Sequence, residues 1–268
     1  MFDLNDKVVL VTGAAGGIGA GIARAVLDKG AKHVAILDVN IEMGTSLQEE
    51  LNSKHGANRA KFIKCDVTQE LDTAFENTVK EFGYIDVVIN NAGIMNDAPH
   101  IYEKEIAVNV TALITSSLKA YNMMDVKQGG KGGTIINISS IVGLFQGYGL
   151  PVYSATKSAV LQFSNCLGMT ENYSRSGVRV VTICFGCTDT NLIQGKIGAF
   201  DKTLEDHIVG GINNLPHQNV DSAVRGLIEA YEKGDSGSTW LVTSGRPAED
   251  ITVNVKKAYQ ILVQGVLY

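Results

Sequence analysis

The sequence predicts a single α/β domain built as a doubly wound, seven-stranded parallel sheet with helices on both faces. Three observations carry that expectation. Seven short apolar runs alternate with helix-length stretches almost from end to end. The runs are continuously apolar, as strands buried on both faces are. Helix-length crossovers between parallel strands are right-handed and cover both faces of the sheet. Of the 268 residues 45% are hydrophobic and 19% charged, enough apolar side chain for a core and too much for a disordered chain.

The first strand is 8–12 (Val-Val-Leu-Val-Thr), followed by a glycine-rich turn and a helix over 17–29. The second strand, 34–37, feeds a helix over 42–54, and the third, 60–63, one over 69–82. The fourth, 85–89, precedes a long helical stretch over 101–127. The fifth, 134–138, leads to a helix over 152–175, introduced by Pro151, whose fixed φ suits a first helical turn. After the sixth strand, 178–183, a helix over 220–233 precedes the last strand, 239–242. Residues 186–218 depart from the pattern, with weak helical periodicity, Gly195, Gly198, Gly210, Gly211 and Pro216. A long insertion in a compact domain reads as a functional lid, here over substrate. With 29 glycines, four prolines and no repeat or compositional break, the joints are tight turns and residues 1–268 form one domain.

Composition also excludes whole classes of function. There are 23 Lys+Arg against 28 Asp+Glu, a net charge of −5, without the basic footprint that nucleic acid requires. No run approaches the roughly 18 apolar residues of a membrane span, and the N-terminus lacks the build of a secretory signal. Four cysteines (Cys65, Cys166, Cys184, Cys187) are too few for a disulfide scaffold and fit a reduced, cytoplasmic setting. Cys184 and Cys187 have C-x-x-C spacing but no second pair, so no metal is expected.

Thr12-Gly13-Ala14-Ala15-Gly16-Gly17-Ile18-Gly19 lies at the first strand-to-helix junction. Glycines there let the backbone turn sharply and approach a pyrophosphate, whose charge favours a helix N-terminus. The expected ligand is therefore a dinucleotide. Asp38 ends the second strand, nineteen residues after Gly19, where a carboxylate accepts both ribose hydroxyls of NAD and repels the extra phosphate of NADP. Asp66, in Cys65-Asp66-Val67, closes the third strand where an adenine lies, although it also suits a helix cap. Asn90-Asn91-Ala92-Gly93 ends the fourth strand, on the carboxyl edge where open α/β sheets bind ligands.

Tyr153 and Lys157 stand four residues apart, on one face of a helix. A free tyrosine titrates near 10 and is a poor base at neutral pH. A nearby ammonium, helped by an oxidised nicotinamide, stabilises the phenolate; a 3-unit lowering needs roughly 4 kcal/mol. Ser139 and Ser140 end the fifth strand, where one hydroxyl can hold an alcohol oxygen. Alternation puts only one of them on that face, and the residues alone leave open which.

Taken together these motifs resemble the short-chain dehydrogenase/reductase family over nearly the whole chain: the glycine pattern at 12–19, Asp38, Asp66, Asn90-Asn91-Ala92-Gly93 and the Tyr153/Lys157 pair occur in the family's order. The resemblance implies a single-domain Rossmann fold and a catalytic tetrad of Asn109, Ser140, Tyr153 and Lys157, the serine thirteen residues before the tyrosine. It implies Tyr153 as acid/base, Ser140 as donor to the substrate oxygen, Lys157 on the nicotinamide ribose and Asn109 holding a water in a proton relay. The implied cofactor set is Gly13, Gly17, Ile18, Gly19, Asp38, Asp66, Val67, Asn90, Ala92, Tyr153, Lys157, Thr188 and Thr190. Within the family the chain is similar to insect alcohol dehydrogenases and NAD-dependent 15-hydroxyprostaglandin dehydrogenases, on Gly129-Gly130-Lys131-Gly132-Gly133, Pro151-Val152-Tyr153 and Gly237-Ser238-Thr239-Trp240. Both groups oxidise secondary or allylic alcohols with NAD.

One departure stands out: the family's Pro-Gly after the sixth strand is Phe185-Gly186 here, which is expected to loosen a normally fixed turn. Ser140, Val142, Phe145, Tyr148, Phe185 and Leu192 are the expected substrate contacts. No Arg or Lys falls among them to hold an anion, so the expected substrate is a lipophilic alcohol, such as a terpenoid like farnesol, or its ketone. Two rival readings are an NADPH-dependent carbonyl reductase, which should lack an acid at 38, and a non-enzymatic NAD-binding regulator, which would need no tetrad. The family resemblance implies a homodimer or homotetramer through the helices at 101–127 and 152–175.

Overall fold

The computed structural model describes residues 1–193 and 197–266. Residues 194–196 of the expected lid, Gly195 among them, and 267–268 of the expected domain lie outside the described residues. Seven parallel strands follow the expected alternation: β1 (Val8–Thr12), β2 (His33–Asp38), β3 (Ala60–Lys64), β4 (Val87–Asn90), β5 (Gly133–Ser140), β6 (Val178–Phe185) and β7 (Ser238–Val242). An eighth, β8 (Glu249–Asp250), corrects the expected count. It pairs antiparallel with β7, Trp240 opposite Asp250 and Leu241 opposite Glu249. Two exposed acids behind a turn with Ser244 and Gly245 at positive φ carry no apolar run, so no periodicity marks them. The strand order is β3-β2-β1-β4-β5-β6-β7-β8. The order in which successive strands are added reverses between β1 and β4, and the crevice at their carboxyl ends is where doubly wound sheets take ligands.

The helices are α1 (Gly17–Asp28), α2 (Ile41–His55), α3 (Leu71–Phe82), α4 (Tyr102–Ile106) and α5 (Leu113–Met124). They continue with α6 (Pro151–Leu167), α7 (Thr170–Ser176), α8 (Glu205–Asn213), α9 (Val220–Lys233) and α10 (Thr252–Leu262). Between α4 and α5 the expected long helix widens into a π-type turn, Ala107–Ala112. The expected helix over 152–175 divides into α6 and α7 at Gly168, where a Cβ would lie 2.6 Å from the Gly237 nitrogen; the chain leading into β7 crosses against this joint. Among the described residues no helix is long and apolar enough to cross a membrane.

Strand β1 shows why the strands are apolar throughout. Val9 and Val11 pack with Ile22, Ala23 and Val26 of α1 and Leu227 of α9, whereas Leu10 packs with Phe75 of α3 and Tyr121 and Met124 of α5. Each face has its own helical layer, so alternate residues are all buried. A third, smaller cluster sits over the carboxyl edge and joins Leu150 and Tyr153 to Ile197, Ala199 and Ile208 of the 186–218 segment.

Candidate active site

The turn after β1 has no room for a side chain at Gly13 or Gly19. Gly13 (φ +61°) and Gly17 (φ +51°) adopt a backbone that favours glycine, and a Cβ on Gly13 would fall 2.8 Å from Ala92 Cα. On Gly19 it would fall 2.1 Å from the Gly13 carbonyl oxygen. The amides of Asn91 and Ala92 donate to the Thr12 hydroxyl, each at 3.1 Å, and Asn91 Nδ2 donates to the Thr12 and Gly13 carbonyls at 3.1 and 2.9 Å. These bonds sew the ends of β1 and β4 together. Helix α1 starts at Gly17 behind Gly16 with no side-chain cap, leaving first-turn amides facing the turn.

Asp38 points back along this turn: Oδ2 accepts from the Ala15 amide at 2.9 Å and Oδ1 from the Asn40 amide at 3.0 Å. A cavity of about 570 Å³ runs past it, lined by Gly13, Gly17, Ile18, Asp38, Asp66, Val67, Ala92 and Thr190, with Asn91 and Lys104 added. Asp66 does not cap α3, whose N-cap is Glu70. Its carboxylate instead accepts from the Thr68 amide and hydroxyl at 3.0 and 2.7 Å, which hold its pKa below the ordinary range. Asn90 is a correction to the expected cofactor set as far as its side chain goes. It is buried, donating to Ser117 Oγ at 3.0 Å and Asn137 Oδ1 at 2.8 Å, and Asn91 faces the cavity in its place. Alternation at the strand end decides this, and the doubled asparagine hid it.

A second cavity of about 410 Å³ adjoins the first, sharing Ile18, Asn91, Gly93, Thr190 and Leu192. It brings together Ser140, Val142, Phe145, Tyr148, Tyr153, Lys157, Phe185, Thr188 and Leu192. It also gains a wall absent from the sequence expectation: Leu150 and, from α8, His207, Ile208 and Ile212. The only signal for that wall was the i, i+4 spacing of Ile208 and Ile212 within a weak helical pattern.

The choice between the serines is made by packing. Ser139 Oγ donates to the Lys157 carbonyl at 2.8 Å and is buried against α6, while Ser140 Oγ accepts from the Val142 amide at 3.3 Å and lines the cavity with Tyr153. Lys157 Nζ donates to the Ile138 carbonyl at 3.1 Å and lies 5.6 Å from the Tyr153 ring centroid. Asn109 is buried in the π-type turn, its Oδ1 accepting from the Ile94 amide at 2.9 Å. Its Nδ2 donates to the Ile94 carbonyl and Thr156 Oγ1 at 2.8 and 3.2 Å. Such turns occur often at functional sites, and this one locks the loop after β4 onto α6.

Burial pushes the Tyr153 phenol above its ordinary pKa, the nearby Glu105 carboxyl adds to the rise, and the Ser140 hydroxyl counters it. Burial pulls Lys157 down to about 8. Desolvation thus dominates, and the phenol is neutral at neutral pH. This is the reverse of the lowering expected from the sequence, because burial of the phenol was not legible there.

The turn after β6 is not loose, contrary to the expectation from Phe185. Phe185 is buried in the core and lines the cavity at once. Gly186 donates to the Val242 carbonyl at 2.9 Å, and a Cβ on it would collide with Thr243 Oγ1. The buried Gln218 replaces the rigidity of a proline: Nε2 donates to Thr188 Oγ1 at 3.1 Å and the Val242 carbonyl at 2.9 Å. Its backbone amide donates to the Cys187 carbonyl, and its carbonyl accepts from the Asp189 amide, both at 2.9 Å.

The family model for short chain dehydrogenases matches residues 7–198. The 15-hydroxyprostaglandin dehydrogenase [NAD(+)] of Macaca fascicularis is 39% identical over 193 residues, 71% of each chain, and that of Homo sapiens 38% over the same length. Alcohol dehydrogenase 1 of Ceratitis cosyra is 29% identical over 89% of this chain and 92% of its own. Among solved structures, a short-chain type dehydrogenase/reductase from Mycobacterium marinum superposes with a TM-score of 0.76 at 25% identity, covering 91% of this chain and 96% of that one.

Proposed function

The chain belongs to the short chain dehydrogenase family, and from that premise we propose that it oxidises a lipophilic secondary or allylic alcohol to the carbonyl with NAD, using Tyr153 as general base. It is an NAD-dependent dehydrogenase of the alcohol dehydrogenase type, in keeping with its relatives. One observation carries the finer reading: the Tyr153 phenol, Ser140 hydroxyl and Lys157 ammonium line an apolar cavity next to the glycine-lined one.

The residues fit a dinucleotide. Gly13 and Gly19 let the turn close against Ala92 and on itself, α1 has no side-chain cap over its first amides, and Asp38 is held by the Ala15 amide at the cavity where ribose hydroxyls would lie. When bound, NAD supplies the hydride acceptor and a positive charge. Gly13, Gly17, Ile18 and Gly19 would hold its pyrophosphate, Asp38 one ribose, and Asp66, Val67 and Ala92 the adenine side. Thr188 and Thr190 would meet the carboxamide. Asp38 favours NAD over NADP, against the rival carbonyl reductase, because a second phosphate would face its charge.

In the reaction we assign, Ser140 holds the alcohol oxygen and Tyr153, as phenolate, takes its proton. With that proton removed, a bound NAD would accept the carbinol hydride, leaving a carbonyl. Lys157, held in place by the Ile138 carbonyl, would bind the nicotinamide ribose, and Asn109 would anchor a water relay beyond it. A purely NAD-binding regulator would need none of these groups in register. Val142, Phe145, Tyr148, Phe185 and Leu192 would embrace the substrate chain, and the 186–218 segment, with α8, would be its lid within one catalytic domain. No Arg and no Lys other than Lys157 lines the described cavity, which favours an uncharged substrate. Exposed Ile106, Leu118, Met169 and Tyr173 on α4 to α7 support pairing of those helices in a homodimer or homotetramer.

The test is a panel of farnesol-like, simple secondary and carboxylated alcohols, with their ketones, against NAD and NADP. NADH formation fastest with the lipophilic alcohols is expected; a clear preference for carboxylated substrates would overturn the apolar-pocket reading.

A further inference from the structure

Two buried acids beside the site have no place in the chemistry above. Asp97, in the loop after β4, is 1% exposed, and Glu105, in α4, is fully buried. Helix α6 has no cap from its own Leu150. Asp97 supplies it from 55 residues away, Oδ2 accepting from the Val152 amide at 2.6 Å and Oδ1 from the Tyr153 amide at 3.0 Å. Burial raises Asp97 above the usual carboxylate range, and the two helix N-terminal amides oppose that rise by favouring its ionised form. Glu105 Oε1 accepts from the Asn96 amide at 3.1 Å, but Oε2 is buried with no donor facing it. A buried carboxylate oxygen without a donor is costly, whereas a protonated one has an acceptor at hand in Asp97.

We propose that Asp97 and Glu105 form a carboxyl pair sharing one proton, which positions Tyr153 and sets the charge behind it. Ionised Asp97 clamps the first turn of α6, and neutral Glu105 keeps a second negative charge away from the phenol. The proposal rests on Tyr153 being the base. Burial and the neighbouring Asp97 charge both raise Glu105 above the usual carboxylate range. The other groups that face Glu105 are Lys157 and Tyr153 of α6; Glu103 and Lys104 of its own helix are exposed to solvent. A negative Glu105 would raise the pKa of both Tyr153 and Lys157. Its ionisation therefore makes the phenolate harder to form, and the pair is a positioning device rather than a catalytic one.

Glu105→Gln keeps the volume and the donor to Asp97 but removes the ionisation. With NAD saturating, kcat of Glu105→Gln should coincide with that of the wild type below about pH 7, where Glu105 is protonated, and exceed it above, where the wild-type carboxylate opposes the phenolate, with KM for NAD unchanged. A profile that superimposes on the wild type overturns the proposal. Difference infrared spectroscopy on the wild type, which needs neither turnover nor a folded variant, should show the carbonyl stretch of a protonated carboxyl at neutral pH. Absence of that band at neutral pH also overturns the proposal. A band without any alcohol oxidation would fault the dehydrogenase reading and leave the carboxyl pair standing.

Discussion

Gln218→Ala tests how a chain with Phe185 in place of proline keeps its nicotinamide-side turn. The side chain is buried and donates two hydrogen bonds, to Thr188 Oγ1 and the Val242 carbonyl. Each is worth about 1 kcal/mol net, so their loss costs about 2 kcal/mol. Val242 keeps the Gly186 amide and Thr188 still donates to the Gly186 carbonyl, so neither is left orphaned. The backbone bonds of residue 218 to Cys187 and Asp189 also survive. If the whole loss falls on ordering Thr188 and Thr190, NAD binding weakens by up to about 30-fold, since 1.4 kcal/mol is tenfold. If it falls on global stability, Tm drops by roughly 4–8 °C. The assay is KM for NAD together with NADH affinity by fluorescence, alongside thermal unfolding. We expect a KM rise of at least about fivefold. A lowered Tm with KM and NADH affinity within twofold of wild type would show that Gln218 merely packs, and would refute the argument.

The remaining predictions concern charge and protons. Asp38→Ala combined with Val39→Arg should reverse an NAD preference of about tenfold or more, because Arg pairs with a phosphate where the carboxylate repelled it; unchanged kcat/KM for both cofactors would refute the assignment. Tyr153→Phe should lower kcat by about a thousandfold with NADH affinity retained, and appreciable residual turnover would exclude it as the base. Lys157→Met should abolish turnover yet stabilise the protein at neutral pH by about 3 kcal/mol, since the buried ammonium sits near 8 rather than about 10.4. The sign follows from linkage: the unfolded chain binds the extra proton between those values, so the wild type gains stability as pH rises from 8 and loses it again on falling through 8. Urea unfolding at a series of pH values should show the advantage of Lys157→Met shrinking across that window; a constant or growing difference would contradict the burial argument.

The sequence by itself determined the sheet, the cradle and the order of the motifs. Continuous apolar runs follow from burial on both faces, and Gly13 and Gly19 are demanded by backbone contacts within 3 Å that any Cβ would violate. The Tyr153/Lys157 spacing also sufficed, because four residues on a helix share a face whatever surrounds them. Tertiary structure alone decided which neighbours those groups meet. It turned Asn90 inward and Asn91 outward, tied Ser139 to the Lys157 carbonyl, and brought Gln218 beneath the turn after β6. It set Asp97 and Glu105 behind Tyr153 and folded α8 over the cavity. Local patterns report the face a side chain takes within its own element. They do not report desolvation or contacts between segments tens of residues apart, and those set the protonation of Tyr153 and Lys157.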